Sequence, residues 1–255
     1  MDLGLDGKRA LVGGGSSGLG RAIGTSLAAE GANVALAARS GSRLSDVAAA
    51  LGAEAVAADL STEDGPGQAV AEAVSRLGGL DLLLVNSGGP PNGDFEQLDE
   101  AAWTTAIDGV LLSALRLIRA ALPHLRASSA PAILIILSSS VREPIPGLTT
   151  SNVLRPGLAG LIKSLTAEIA PIRINGIAPG RVSTDRIAHL DGLRADATGR
   201  SIDDIQREMA GRIPLGRYGD PTEVGRVGAF LLSPAASYVS GAIVPIDGGM
   251  VRALP

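Results

Sequence analysis

The sequence contains no cysteine, only two histidines and very few aromatic residues, which make up 2% of its 255 positions. Without cysteine the chain forms no disulfide, carries no thiolate nucleophile and offers no cysteine ligand to a metal. The two histidines, His124 and His189, lie far apart in the sequence, so a zinc site is not expected either. We therefore predict a protein without a bound metal.

A basic excess and a long apolar run are also missing. The formal net charge is −4, whereas a surface that binds nucleic acid needs a cluster of cationic side chains. No apolar stretch approaches the roughly 20 residues of a membrane-spanning helix. The first residues do not show the basic region and apolar core of a signal peptide. The expectation is a cytoplasmic protein that binds neither nucleic acid nor membranes.

What the sequence has is an aliphatic composition, 45% hydrophobic, in which short apolar runs alternate with helical patterns. This alternation predicts one α/β domain over 1–255, a Rossmann-like, doubly wound parallel sheet with helices on both faces. The predicted strands are 9–12, 33–37, 54–58, 80–85, 132–137, 173–178 and 242–246. A first helix is predicted after the first strand and ends at Gly31. The other predicted helices include 63–77, 101–125, 153–169 and 221–232.

Segment 183–212 interrupts the alternation. It has no strand-like run and carries five arginines among several acids. We expect it to form an insertion over the carboxyl edge of the sheet, a substrate lid, because folds of this class bind their ligands at that edge. Its charge alone is equally consistent with a pair of helices facing solvent.

A glycine-rich turn, 13–20, separates the first strand from the first helix. A helix N-terminus offers free N–H donors and a favourable dipole to a phosphate. Glycines let the backbone approach it closely, and serine hydroxyls add donors. Because this turn opens the first βαβ unit, it predicts a dinucleotide site. The predicted contacts within it are Gly14, Ser16, Ser17, Gly18, Leu19 and Gly20.

The end of the second predicted strand distinguishes NAD(H) from NADP(H). An acid there would bind the ribose hydroxyls of NAD, but this chain has Arg39, whose guanidinium suits a 2′-phosphate. NADP(H) is thus favoured over NAD(H), with Arg43 assisting; the alternative is a solvated arginine. Asp59 and Leu60 are expected against the adenine. Asn86, Ser87 and Gly88 end the fourth strand, where small residues let the cofactor pass close to the chain.

The sequence resembles the short-chain dehydrogenase/reductase family over nearly its whole length. The resemblance rests on the G-x-x-x-G-x-G spacing of the turn, Asp59-Leu60, Asn86-Ser87-Gly88, and Pro179-Gly180 with Thr184. The run that begins at Pro214 is similar to the C-terminus of 3-oxoacyl-acyl-carrier-protein reductases. The resemblance implies an NAD(P)(H)-binding oxidoreductase of a small-molecule or acyl carbonyl. It also implies a homodimer or homotetramer formed by helices 101–125 and 153–169.

The catalytic motif departs from the family pattern. Members of the family use a tyrosine as general acid, a lysine four residues later, a serine about 13 residues upstream and an asparagine in the long helix. Aligned on that pattern, the serine is Ser138, but Ser151, Arg155 and Val110 replace the other three. Arg155 can still bind ribose hydroxyls, although a pKa above about 12 makes it a poor acid. Serine is a far weaker acid than a phenol, so general acid catalysis worth about 10²–10⁴-fold is not reproduced.

A few other residues are considered as a replacement proton donor or as a group bordering the substrate. His189 lies in the predicted lid, and Arg142, with Glu143, follows Ser138; Tyr218 and Tyr238 are expected to serve packing. His124 is interpreted as a partner of a helix C-terminus, and Lys163 as an ordinary helix lysine.

Three hypotheses follow from the altered motif. The first, which we favour, is an NADP(H)-dependent reductase with a divergent or water-mediated proton donor. The second is a catalytically inactive NADP(H)-binding scaffold or sensor. The third is dehydration or isomerisation in the same pocket.

Overall fold

The apolar runs of the chain form a parallel sheet at the centre of the molecule. A computed structural model describes residues 2–39 and 41–253. Within them the strands are β1 (Arg9–Gly13), β2 (Asn33–Ala38), β3 (Glu54–Ala57), β4 (Leu82–Val85), β5 (Ala132–Ile136), β6 (Arg173–Pro179) and β7 (Ile243–Ile246).

The strand order is β3-β2-β1-β4-β5-β6-β7, and every neighbouring pair is parallel. Leu11 of β1 pairs with Ala35 of β2 and with Leu83 of β4. The order reverses between β1 and β4, and in such sheets ligands bind at the carboxyl ends of the strands beside that switch point.

Helices cover both faces of the sheet because successive strand residues point to opposite sides. Leu11 belongs to a core with Leu117 and Leu158, whereas its neighbour Val12 packs with Ile23 on the other face. The helices are α1 (Gly18–Ala29), α2 (Ser42–Leu51), α3 (Gly65–Leu77), α4 (Glu100–Ala106), α5 (Ser113–Leu125), α6 (Thr149–Glu168), α7 (Asp185–Thr198), α8 (Ile202–Gly211) and α9 (Pro221–Leu232).

The predicted α/β class and doubly wound parallel sheet are confirmed, and each predicted strand lies within two residues of an observed one. Gly31 follows α1 with a φ of +85°, as a residue that ends a helix. The helix predicted over 153–169 begins four residues earlier, at Thr149. The helix predicted over 101–125 is confirmed in its extent, since the chain is helical from Glu100 to Leu125, but a π-helical stretch, Ile107–Leu112, lies between α4 and α5.

The 183–212 segment consists of α7 and α8, joined through Gly199 in the left-handed conformation. These helices have a small core of their own, made of Ala195, Ile205 and Met209, with Tyr218 packed against it. No helix in the described part of the chain is long and apolar enough to cross a membrane. Within 2–39 and 41–253 no cluster of acidic or histidine side chains is suited to hold a metal ion.

Candidate functional site

The glycine turn and the end of β4 are in direct contact. Gly14 adopts a φ of +61°, and a Cβ atom there would lie 2.4 Å from Nδ2 of Asn86. That amide donates a hydrogen bond to the carbonyl of Gly13 over 3.2 Å. A side chain at Gly14 would therefore separate two segments that the sequence predicted to meet at the cofactor.

The start of α1 is open to an anion. Ser17 is the N-cap residue, but its side chain makes no capping bond. The N–H groups of the first turn can therefore donate to another acceptor. Gly18 has a φ of +53°, and a Cβ there would meet only Thr184, at 3.8 Å. An uncapped helix N-terminus beside an open glycine fits a dinucleotide diphosphate.

Thr184 also begins α7, since its hydroxyl accepts the N–H of Ile187 at 3.4 Å. The next residue, Asp185, forms an exposed ion pair with Arg43 of α2, with a distance of 2.7 Å between Nη2 and Oδ2. Arg43, predicted to assist Arg39 at a 2′-phosphate, is thus engaged by α7 in this structure. Through these two contacts the 183–212 segment reaches the glycine turn and α2.

Arg39 and Asp59 follow the neighbouring strands β2 and β3. Arg39 is exposed. Hydrogen bonds from the hydroxyl and the N–H of Ser61 lower the pKa of Asp59, and the charge of Arg39 adds to that effect. Leu60 is buried in the core. The end of β2 therefore presents an exposed guanidinium close to a carboxylate that is already hydrogen-bonded.

Three serines follow β5, and the structure separates their roles. Ser138 is half-buried, and its hydroxyl accepts the N–H of Ser140 at 3.1 Å as the cap of a short 3₁₀ turn, Ser139–Val141. The hydroxyl of Ser140 instead lies 3.3 Å from that of Ser151. Both side chains of that pair are buried, at 4% and 7% exposure. The alignment paired Ser138 with Ser151, so Ser140 is a site residue that the sequence reasoning missed.

Arg155 extends from α6 into the sheet edge, where it is 8% exposed. Its guanidinium donates to the carbonyl oxygens of Ile136 and Gly88, the latter at 3.2 Å. Burial lowers the pKa of Arg155 to about 10, and the charge of Arg186 contributes. The expected pKa above 12 is therefore corrected, because desolvation disfavours the cation. At neutral pH Arg155 remains charged, and it joins the ends of β4 and β5.

Val110 occupies the family asparagine position, in the π-helical stretch, and is buried. A π-turn shifts the backbone hydrogen-bond pattern of a helix, and such turns are frequent at functional sites. Here the hydroxyl of Ser87 donates to the carbonyl of Gly109. The stretch thereby contacts the end of β4 through a serine, and Val110 supplies no polar group.

Arg186 is the second residue that the sequence reasoning did not assign to the site. It is half-buried, and its Nη2 atom donates to the carbonyl of Pro90 at 2.9 Å. A Cβ atom on Gly89 would lie 2.9 Å from its Nε atom. Its only sequence signal was its position two residues after Thr184.

The other residues considered in the sequence make few contacts with the candidate site. Tyr218 donates to Asp191 at 3.0 Å and lies under the guanidinium of Arg181; burial raises the pKa of its phenol, which makes it a weaker acid. The packing role expected for Tyr238 is wrong within this chain, because its side chain is fully exposed. His124 lies in the last turn of α5, as predicted. The residues left exposed are Arg142, Glu143, Lys163 and His189.

A parallel sheet of this order, with a glycine turn at its switch point, defines a Rossmann-like α/β protein, an architecture in which ligands bind at the carboxyl ends of the strands. Comparison with known proteins narrows this class. A family model described as enoyl-(acyl carrier protein) reductase matches residues 14–251. The chain belongs to the short-chain dehydrogenase/reductase family, a family of oxidoreductases.

Individual relatives agree with this assignment. The chain is 30% identical to a 3-oxoacyl-[acyl-carrier-protein] reductase of Aquifex aeolicus, over 98% of this chain and 100% of that one. L-sorbose reductase of Gluconobacter frateurii, solved with NADPH and L-sorbose, is 31% identical, with a TM-score of 0.94 and full coverage of both chains. An NADPH-bound short-chain oxidoreductase of Pseudomonas aeruginosa PAO1 with an atypical catalytic center is 30% identical, with a TM-score of 0.86 over 96% of this chain and 97% of that one.

Proposed function

We propose that this protein is an NADP(H)-dependent reductase of a small-molecule or acyl carbonyl that works without the family's tyrosine. The observation that carries the proposal is the meeting of two features at one sheet edge. An open glycine turn fits a diphosphate, and the buried hydroxyls of Ser140 and Ser151 lie with Arg155 beside the ends of β4 and β5. Two structural relatives that were solved with NADPH support the choice of cofactor.

The chain's own residues have distinct parts in this proposal. The start of α1 and Thr184 hold the diphosphate, and Arg39 pairs with the 2′-phosphate. NADPH, when bound, supplies the hydride. Ser138, whose hydroxyl proton is not used by its capping bond, donates to the substrate carbonyl oxygen. The Ser140–Ser151 pair and water carry the proton, because no phenol stands at that position.

One observation favours the inactive alternative. Three of the four catalytic positions differ from the family pattern, and at one of them Val110 is 2% exposed and apolar. A scaffold or sensor that binds NADP(H) without turnover would tolerate all three changes. The relative with an atypical catalytic center favours the enzyme, since it too is described as an oxidoreductase.

The deciding experiment couples binding to turnover. NADPH and NADH are titrated by fluorescence, and absorbance loss is then followed with ketones, sugars and 3-oxoacyl thioesters. We expect NADPH to bind more tightly and at least one carbonyl class to be reduced. Tight NADPH binding without oxidation across the panel would overturn the reductase proposal in favour of the scaffold.

Two serine variants test the assignment of the hydroxyls. Ser138→Ala removes the proposed donor to the carbonyl oxygen and is expected to lower kcat/KM by about 10²-fold, the scale of one donor in an oxyanion hole. Ser140→Ala leaves Ser138 in place and is expected to cost less. Both variants are measured with the best substrate of the panel. A larger loss of kcat/KM in Ser140→Ala than in Ser138→Ala would show that Ser140, not Ser138, contacts the substrate carbonyl.

Arg39→Ala is expected to weaken NADPH binding by about 10- to 100-fold, because a charge-assisted bond to phosphate is worth about 1.5–3 kcal/mol. NADH, which lacks the 2′-phosphate, is expected to bind unchanged. The matched control is Arg43→Ala, whose guanidinium pairs with Asp185, and it should change NADPH affinity less. Equal losses for both nucleotides would show that Arg39 acts elsewhere.

We also propose a homodimer or homotetramer. Ile107 and Val153 are exposed apolar side chains, with 37% and 55% exposure, at the helices that the family pairs across a two-fold axis. An apolar helix face of this kind is stabilised by contact with a second copy.

A further inference from the structure

Two cationic side chains from different helices meet the same short segment after β4. Arg155 of α6 donates to the carbonyl of Gly88 at 3.2 Å. Arg186 of α7 donates to the carbonyl of Pro90 at 2.9 Å and lies against Gly89. Both guanidinium groups therefore lie along three consecutive residues of the candidate site.

Neither arginine has a carboxylate partner within residues 2–39 and 41–253. By contrast, other arginines of the 183–212 segment are paired, such as Arg194 with Glu208 and Arg207 with Asp204. Burial lowers the pKa of both Arg155 and Arg186, and the charge of Arg186 lowers that of Arg155 further. Two close cations at a partly desolvated site gain from an anion that neutralises them.

The arginines also lie beside the proposed reaction centre. Arg155 follows Ser151 by four residues on α6, which places both on one helix face. Ser151 contacts the hydroxyl of Ser140, so Arg155 lies beside this serine pair, and Arg186 adjoins Arg155 along the segment after β4. In the proposed function the cofactor phosphates bind the start of α1, Thr184 and Arg39, which leaves Arg155 and Arg186 available to another anion.

We propose that Arg186, together with Arg155, binds the carboxylate of the substrate, so that the preferred substrates are oxo acids. This inference rests on the proposed reductase function. A guanidinium fork matches the two oxygens of a carboxylate, and charge-assisted bonds of this kind are the stronger ones. The carboxylate is unchanged in the reaction: the carbonyl carbon gains a hydride from NADPH and its oxygen gains a proton, giving a hydroxy acid and NADP⁺.

The test compares pyruvate, acetoacetate and levulinate, each with its methyl ester, which keeps the ketone but removes the charge. The wild-type protein is expected to reduce at least one acid with a kcat/KM about tenfold or more above that of its ester. Arg186→Gln is expected to abolish this preference mainly through KM, and Arg186→Lys to restore part of it. Arg207→Gln is the control, because Arg207 lies in the same segment, is exposed and pairs with Asp204.

The outcomes separate this inference from the proposed function. Equal or faster reduction of the esters would overturn the carboxylate site and leave the reductase standing. If neither member of any pair is reduced, pentanoate is titrated into the protein–NADPH complex by calorimetry. Saturable binding that Arg186→Gln removes would support the site without turnover, and its absence would overturn the site. Loss of NADPH affinity in Arg186→Gln with unchanged acid preference would assign Arg186 to the cofactor instead.

Discussion

Asp191→Ala is expected to lower the free energy of unfolding by about 3–5 kcal/mol, the cost of breaking a buried ion pair from one side. Asp191 lies in α7 with 0% exposure, and its carboxylate accepts hydrogen bonds from Arg181 and from Tyr218. Without the carboxylate, a largely buried guanidinium has no counter-charge and the phenol loses its acceptor. Urea unfolding followed by circular dichroism measures the loss.

The same substitution is expected to weaken NADPH binding. Arg181 lies two residues after the end of β6, so its bond to Asp191 connects α7 to the sheet. The N-cap of α7 is Thr184 and its first turn contains Arg186, which are the proposed contacts to the diphosphate and to the substrate. If α7 is held less firmly, Thr184 and Arg186 are positioned less accurately for binding. Affinity is measured below the unfolding range, so that binding and stability are separated.

Asp196→Ala is the matched control, since Asp196 lies in the same helix but is exposed. Surface substitutions of this kind usually change stability by less than about 0.5 kcal/mol. Asp191→Asn keeps an acceptor for Tyr218 but removes the charge, so it is expected to fall between the two. An unfolding midpoint of Asp191→Ala equal to that of Asp196→Ala would contradict the stabilising role of the Arg181–Asp191 ion pair.

The sheet could be predicted from sequence because its signals are local. The central strands are short apolar runs that are buried on both faces, as at Leu82–Val85, and such runs are bounded by turn residues. The π-helical stretch inside the helix over 101–125 could not be predicted. Apolar residues at helical spacing continue through it, and the one-residue shift of a π-turn does not interrupt that pattern.

The site was only partly predictable for a similar reason. The glycine turn was found because close backbone approach requires glycine, which is visible in the sequence. The serine that contacts Ser151 was not found, because counting back from Ser151 assumes the family's loop length. In the structure a 3₁₀ turn uses Ser138 as its cap and directs Ser140 to α6.

The role of Arg186 depends on tertiary structure. Charge alone does not distinguish an arginine that donates to the carbonyl of Pro90 from the solvated arginines around it. Likewise, the partners of Arg155 are main-chain carbonyls of β5 and of the segment after β4. A main-chain carbonyl has no residue-specific signal in the sequence, so these bonds could not be predicted.

Restoring the family's acid is expected to have the largest effect on activity. In the double variant Ser151→Tyr with Arg155→Lys, a phenol with an ordinary pKa near 10 replaces an alcohol that is a far weaker acid. The lysine keeps a positive charge beside it and has donors for the carbonyls of Gly88 and Ile136. General acid catalysis contributes about 10²–10⁴-fold, so NADPH oxidation with the best carbonyl substrate is expected to rise by that order.

The single variants show whether the two groups act as a pair. Arg155→Lys alone adds no acid and is expected to give no gain in turnover, whereas Ser151→Tyr alone is expected to give a smaller gain than the double variant. Because Ser151 is buried against Ser140, the larger ring must displace neighbours, so thermal unfolding and NADPH affinity are measured for every variant. A double variant that folds and binds NADPH like the wild type, yet reduces no substrate faster, would show that the missing acid does not limit the reaction. Adding Val110→Asn to that variant then tests whether the missing asparagine, rather than the missing acid, limits the rate.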